Sequence, residues 1–127
     1  MVTKKSKKQF VIEDGVLIRN QSDCKKCFIP AGVKTLGKYS FAGTSVEIIV
    51  CPASLEEIDD CAFCDCWNLK EIHLNHSLKA MGQAPFANCD NLKMVYFDGT
   101  KTDYQKILKG EPFGNVNYIF KKEDEQL

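Results

Sequence analysis

The chain has no long hydrophobic run: no uninterrupted apolar stretch exceeds the four residues Ile48 to Cys51. A membrane-spanning helix needs about 20 such residues, so none is expected. It also has no excess of charge, with 17 basic against 17 acidic residues and a formal net charge of +0. Four of the lysines (Lys4, Lys5, Lys7, Lys8) crowd the first nine residues, and without them the acidic residues are in excess. The remainder therefore opposes a phosphate backbone, and nucleic acid is not an expected partner. Residues 1–9 read as a flexible basic tail. Only Phe10, Val11 and Ile12 follow before Glu13, too short for the hydrophobic region of a signal peptide, so the chain as given is expected to be cytoplasmic. Histidine is scarce too. With only His73 and His76, no Ser-His-Asp set can be drawn, and neither a phosphate-cradling glycine loop nor a paired-carboxylate signature is present. No enzyme and no cofactor is expected.

What the sequence does contain is a repeat. An apolar-x-x-apolar pair, a phenylalanine five residues on and a second apolar-x-x-apolar pair run through Val33, Leu36, Phe41, Val46 and Ile49. The same pattern recurs in Leu55, Ile58, Phe63, Leu69 and Ile72, and again in Leu78, Met81, Phe86, Leu92 and Val95, with corresponding positions 22 or 23 residues apart. One copy is too short to bury its own apolar side, so the copies must stack into a solenoid sharing one core. The segments 46–51, 69–74 and 92–97 suit short strands with one face inward, and in constant register they form a parallel sheet.

The phrases "IPAGVKTLGKYSFAGTSVEIIV", "CPASLEEIDDCAFCDCWNLKEIHL" and "SLKAMGQAPFANCDNLKMVYF" resemble the BspA-type (Treponema pallidum-type) leucine-rich repeat. That pattern runs Leu-x-x-Ile-x-Leu-Pro and then Leu-x-x-Ile-Gly-x-x-Ala-Phe-x-x-Cys. Asn75 and Asp98 replace the proline kept as Pro30 and Pro52, and Thr44 stands where Cys66 and Cys89 stand. The resemblance covers about residues 10 to 120. It implies a mainly β, right-handed leucine-rich-repeat solenoid with a parallel sheet on its concave face, which binds other proteins without catalysis. Relatives of this kind are often at the cell surface. The copies fall at about 27–48, 49–71 and 72–94, with a degenerate C-terminal repeat at 95–120 and a charged tail at 121–127.

The ends read as caps, because terminal repeats otherwise expose core and sheet edge. Phe10–Ile12 and Val16–Ile18 flank the turn signal Asp14-Gly15, giving an N-terminal hairpin. Thr102 can cap a short helix to about Lys109, with Tyr104, Ile107 and Leu108 on one side and Gly110 as its stop. Val116-x-x-Ile119 then repeats the strand pattern, 24 residues after Leu92 and Val95.

Seven cysteines invite a zinc reading. The register opposes it: Cys24, Cys27 and Cys51 occupy inward slots of small hydrophobes. Cys66 and Cys89 take the repeat's own cysteine position. Cys61 and Cys64, without a repeat explanation, fall on the outward turn, where Cys64 should meet reagents first. The acidic cluster Glu56, Glu57, Asp59 and Asp60 reads as a solvated face. Seven is odd, and abundant unpaired thiols fit a reducing compartment. The alternative to an interaction module is a small structural zinc protein organised by Cys61, Cys64, Cys66 and His76.

With Ile49, Ile72 and Val95 inward, their neighbours form two outward columns. One is Lys26, Ile48, Glu71, Met94 and then Tyr118; the other is Phe28, Val50, His73, Tyr96 and then Phe120. Large apolar and aromatic side chains in exposed positions suit a binding patch. The expected contact residues are Phe28, Ile48, Val50, Glu71, His73, Met94 and Tyr96, for a protein partner or for self-association. Protonation of His73 would place a charge in that patch.

Overall fold

A computed structural model describes residues 10–108 and 116–124. The expected basic tail, the end of the helix with Gly110 and the last three residues lie outside them. Among the described residues ten strands and one helix succeed one another: β1 (Phe10–Glu13), β2 (Val16–Asn20), β3 (Lys26–Phe28), β4 (Thr35–Leu36), β5 (Ile48–Val50), β6 (Glu57–Ile58), β7 (Glu71–Asn75), β8 (Ala80–Met81), β9 (Met94–Asp98), α1 (Lys101–Ile107) and β10 (Asn117–Phe120).

They build a solenoid with two five-stranded sheets. The longer strands form one in the order β10-β9-β7-β5-β3, all parallel. The two-residue strands β4, β6 and β8 join the β1–β2 hairpin in the other, β1-β2-β4-β6-β8, parallel except for the antiparallel hairpin pair. This second sheet is the first apolar-x-x-apolar pair of each repeat, too short for alternation to announce. The hairpin is more than a lid, because Leu17 pairs with Leu36 and extends the same buried row as Ile58 and Met81.

All fifteen repeat positions are inside, none more than 4% exposed. The phenylalanines stack coil on coil, with ring centroids 5.2 Å apart for Phe41 and Phe63 and 5.4 Å for Phe63 and Phe86; Phe10 closes the column at 6.1 Å from Phe41. Offset aromatic contacts add to the area they bury.

A third ladder runs through the turns. Tyr39, Phe41 and Gly43 donate their N–H groups to the carbonyls of Asp60, Ala62 and Cys64, and Cys61, Phe63 and Asp65 donate to those of Gln83, Pro85 and Ala87. Aiming alternate amides along the axis requires left-handed residues at two fixed phases. These are Tyr39, Cys61 and Ala84 at one, and Gly43, Asp65 and Asn88 at the other. That gives Cys61 the repeat role the sequence did not disclose. The repeat cysteines are tied to the same ladder: the Cys66 thiol donates to Phe41 O (3.0 Å) and the Cys89 thiol to Phe63 O (2.9 Å), each reaching the preceding coil.

Two local expectations change, and a third gains detail. Thr100, not Thr102, caps α1, its Oγ1 accepting from Asp103 N–H at 3.1 Å, while the Thr102 N–H faces the Asp124 carboxylate. The cap must precede the first helical turn, and Gly99 brings the chain there. Cys64 is buried rather than outward, because the side chain packs under the next turn, its thiol donating to Ala84 O. In the acidic cluster Glu56 and Glu57 are exposed and Asp59 and Asp60 half-buried, and Asp60 also ties two coils together, its Oδ1 accepting from Gln83 N–H at 2.7 Å.

Candidate functional site

Strand alternation carries half of each long strand outward. The register lines up Lys26, Ile48, Glu71, Met94 and Asn117 in one row and Phe28, Val50, His73, Tyr96 and Ile119 in the other. At about 4.8 Å between neighbouring strands, each row spans about 19 Å. All seven residues expected at the contact thus stand on one sheet face, half-buried except for Phe28, which is 60% exposed.

The C-terminal ends of both rows differ from expectation. Tyr118 pairs with inward Val95 and Phe120 with Phe97, leaving Asn117 and Ile119 outside. Tyr118 and Phe120 instead close the core against the helix, 5.5 and 5.9 Å from the Tyr104 ring. A spacing of 23 from Val95, the repeat's own period, leads to Tyr118; the spacing of 24 to Ile119 slips by one residue and inverts the faces.

The middle of the second row holds a ring stack and a side-chain contact. His73 and Tyr96 stack, centroids 4.4 Å apart and planes 10° from parallel. His73 Nε2 lies 2.8 Å from Glu71 Oε2. Val50, His73, Tyr96 and Ile119 wall a shallow open depression of about 360 Å³, with Asn75, Asp98 and Lys121 along its polar side. Asn75 Nδ2 donates to Cys51 O, and Asp98 lies 3.6 Å from His76 Nδ1. Lys26 places its ammonium 5.3 Å from the centre of the Phe28 ring, a cation–π contact at the opposite end of the row.

The cysteines do not assemble the alternative zinc site. Among the described residues no group of three or more His, Cys, Asp or Glu side chains is placed to hold a metal ion. Cys66 is turned into the core, and His76 stands at the end of β7 beside Asp98. Burial pushes the Cys51 thiol up to about 12, and burial together with its neighbour Cys61 does the same for Cys64. Cys27 and Cys51 are inward hydrophobes as expected. Cys24 is not: it is half-buried and joined to Cys27 in a disulfide. The seven cysteines are therefore not all unpaired, and their number no longer argues for a reducing compartment. No helix among the described residues is long and apolar enough to cross a membrane.

Among curated proteins no sequence matches this chain. Solved structures do. A leucine-rich repeat protein from Bacteroides capillosus is 20% identical and superimposes with a TM-score of 0.68, over 89% of this chain and 99% of that one. A leucine-rich repeat protein from Bacteroides ovatus is 24% identical with a TM-score of 0.50 over 72% of this chain, and the pneumococcal vaccine antigen PcpA is 18% identical with a TM-score of 0.54 over 88%. The alignments cover only 26% and 32% of those two longer proteins. At these identities the likeness is one of fold. The profile of the BspA-type leucine-rich repeat region matches residues 17–118 in six copies, across both sheets and every stacked turn, and the chain belongs to that family.

Proposed function

We propose that this chain is a non-enzymatic interaction module that binds a protein partner through the outer, concave face of the long-strand sheet. The observation that carries the reading is the row Phe28, Val50, His73, Tyr96 and Ile119, an apolar and aromatic stripe continuous across five strands. Rigid aromatic side chains contribute contact area at low entropy cost, and residues near the centre of an interface are best shielded from water. Tyr96, already fixed against His73, is the central anchor. Ile48, Glu71 and Met94 flank it in the neighbouring row.

The test compares Tyr96→Ala with Glu57→Ala, a control on the exposed side of the other sheet, for capture of partners from the native host and for sedimentation of the pure protein. Tyr96→Ala is expected to weaken a captured partner, or a self-association, by about 1–3 kcal/mol with its melting curve unchanged. Equal behaviour of the two variants would move the interaction to the turns or the tails.

A further inference from the structure

We propose that Cys24 and Cys27 form a reversible dithiol–disulfide site that exchanges with small thiols and dithiols while the solenoid stays folded. The two sulfurs are bonded and the Cα atoms lie 5.7 Å apart, within the ordinary span of a disulfide. The bridge sits at an edge: β3 pairs only with β5 among the described strands. Cys27 is 1% exposed, whereas Cys24 is half-buried in the segment before β3, between exposed Asp23 and Lys25. An incoming thiolate therefore reaches the Cys24 sulfur, with Cys27 as the leaving group.

The fold suits both redox states. Cys27 is in register with Ile49, Ile72 and Val95, so as a thiol it still fills an apolar slot. Ser22 Oγ lies 2.9 Å from Cys24 Sγ and 2.6 Å from Asn20 Oδ1, which also accepts the Ser22 N–H. With its own proton on Asn20, the hydroxyl offers a lone pair to the Cys24 thiol once it is reduced. A bridge over three residues restrains the unfolded chain far less than one joining distant coils, so opening it leaves the fold standing. The core thiols are insulated, since Cys51, Cys64, Cys66 and Cys89 are buried.

The chemistry balances with a dithiol as reductant. Its thiolate attacks Cys24 Sγ and breaks the S–S bond, and Cys27 leaves as thiolate and takes a proton from water. The second thiol then attacks the mixed disulfide and releases Cys24, which is protonated in turn. Two electrons and two protons pass to the protein, and the reductant ends as its cyclic disulfide.

The experiment uses the whole chain purified without reductant, dithiothreitol as the dithiol and a maleimide as the mass label. Denatured without reductant, the chain should present five of its seven thiols. Native protein treated with dithiothreitol should gain labels at Cys24 and Cys27, Cys24 about tenfold faster, with its melting curve still that of a folded protein. Incubation of Cys27→Ser with glutathione disulfide should trap a mixed disulfide on Cys24. Seven free thiols at the outset, a bridge that opens only on melting, or faster labelling of Cys27 would each overturn the proposal, and none of these readings depends on the variant folding.

Discussion

Phe63 shows how much one side chain carries in a stacked core. It lies between Phe41 and Phe86, with coils on both sides that limit collapse. Phe63→Ala should cost about 3–5 kcal/mol, read as a fall in the urea midpoint, and an unchanged midpoint would mean the ring is not a core residue. Among the cysteines, exposure and thiolate supply rank reactivity. Cys61 is half-buried at a left-handed turn position, whereas Cys64 is buried and its thiol is pushed up to about 12. Native protein should therefore label at Cys61 before Cys64, checked by mass spectrometry of a timed alkylation series. The sequence suggests the reverse, because the repeat counterparts of Cys64, Ala42 and Ala87, are too small to mark the position as inward.

At the scale of the element, turns and caps hold the coils in register. Gly82 passes so close to the preceding coil that an added Cβ would lie 2.6 Å from Asp60 N and 2.9 Å from the Asp59 carbonyl carbon, neither of which can yield as a flexible side chain would. Gly82→Ala should destabilise by about 1–3 kcal/mol, measured as a lowered melting temperature. Gly32 is the contrast, with open space around its Cβ position but a φ of +96° that only glycine adopts readily. For α1, Thr100→Ala should cost about 1 kcal/mol and Thr102→Ala much less, because only Thr100 Oγ1 accepts an N–H of the first turn. Equal costs would return the cap to Thr102. The long strands and the hairpin were legible from apolar spacing, but the sheet of two-residue strands was not, since two residues hold no period.

For the whole molecule, the buried Cys51 thiol makes stability depend on alkaline pH. Burial raises the folded-state pKa of Cys51 from 9.0 to about 12. Below about pH 9 both states keep the proton and the stabilisation is fully present. Between about pH 9 and pH 12 the unfolded chain loses that proton while the folded one retains it, so stability falls as pH rises, by up to about 1.4 kcal/mol per pH unit for this group. Urea midpoints of wild type and Cys51→Val at about pH 8 and pH 10, taken under reductant, should converge on the variant's favour at the higher pH. Parallel behaviour of the two would show that Cys51 ionises equally in both states.

The sequence alone determined the solenoid, its period and its fifteen core positions, because a pattern recurring every 22 or 23 residues leaves stacking as the only way to bury it. It also placed seven of the outward residues on one face, since inside and outside alternate by rule once one strand is phased. Tertiary structure decided the rest. The outward ends of the rows are Asn117 and Ile119 because Tyr118 and Phe120 find Tyr104 of α1, a contact between segments whose packing no local spacing encodes. Likewise, the joining of Cys24 to Cys27 depends on the local bend of the chain before β3, and the burial of Cys64 on how closely the next turn packs over it, neither of which the spacing of residue types contains.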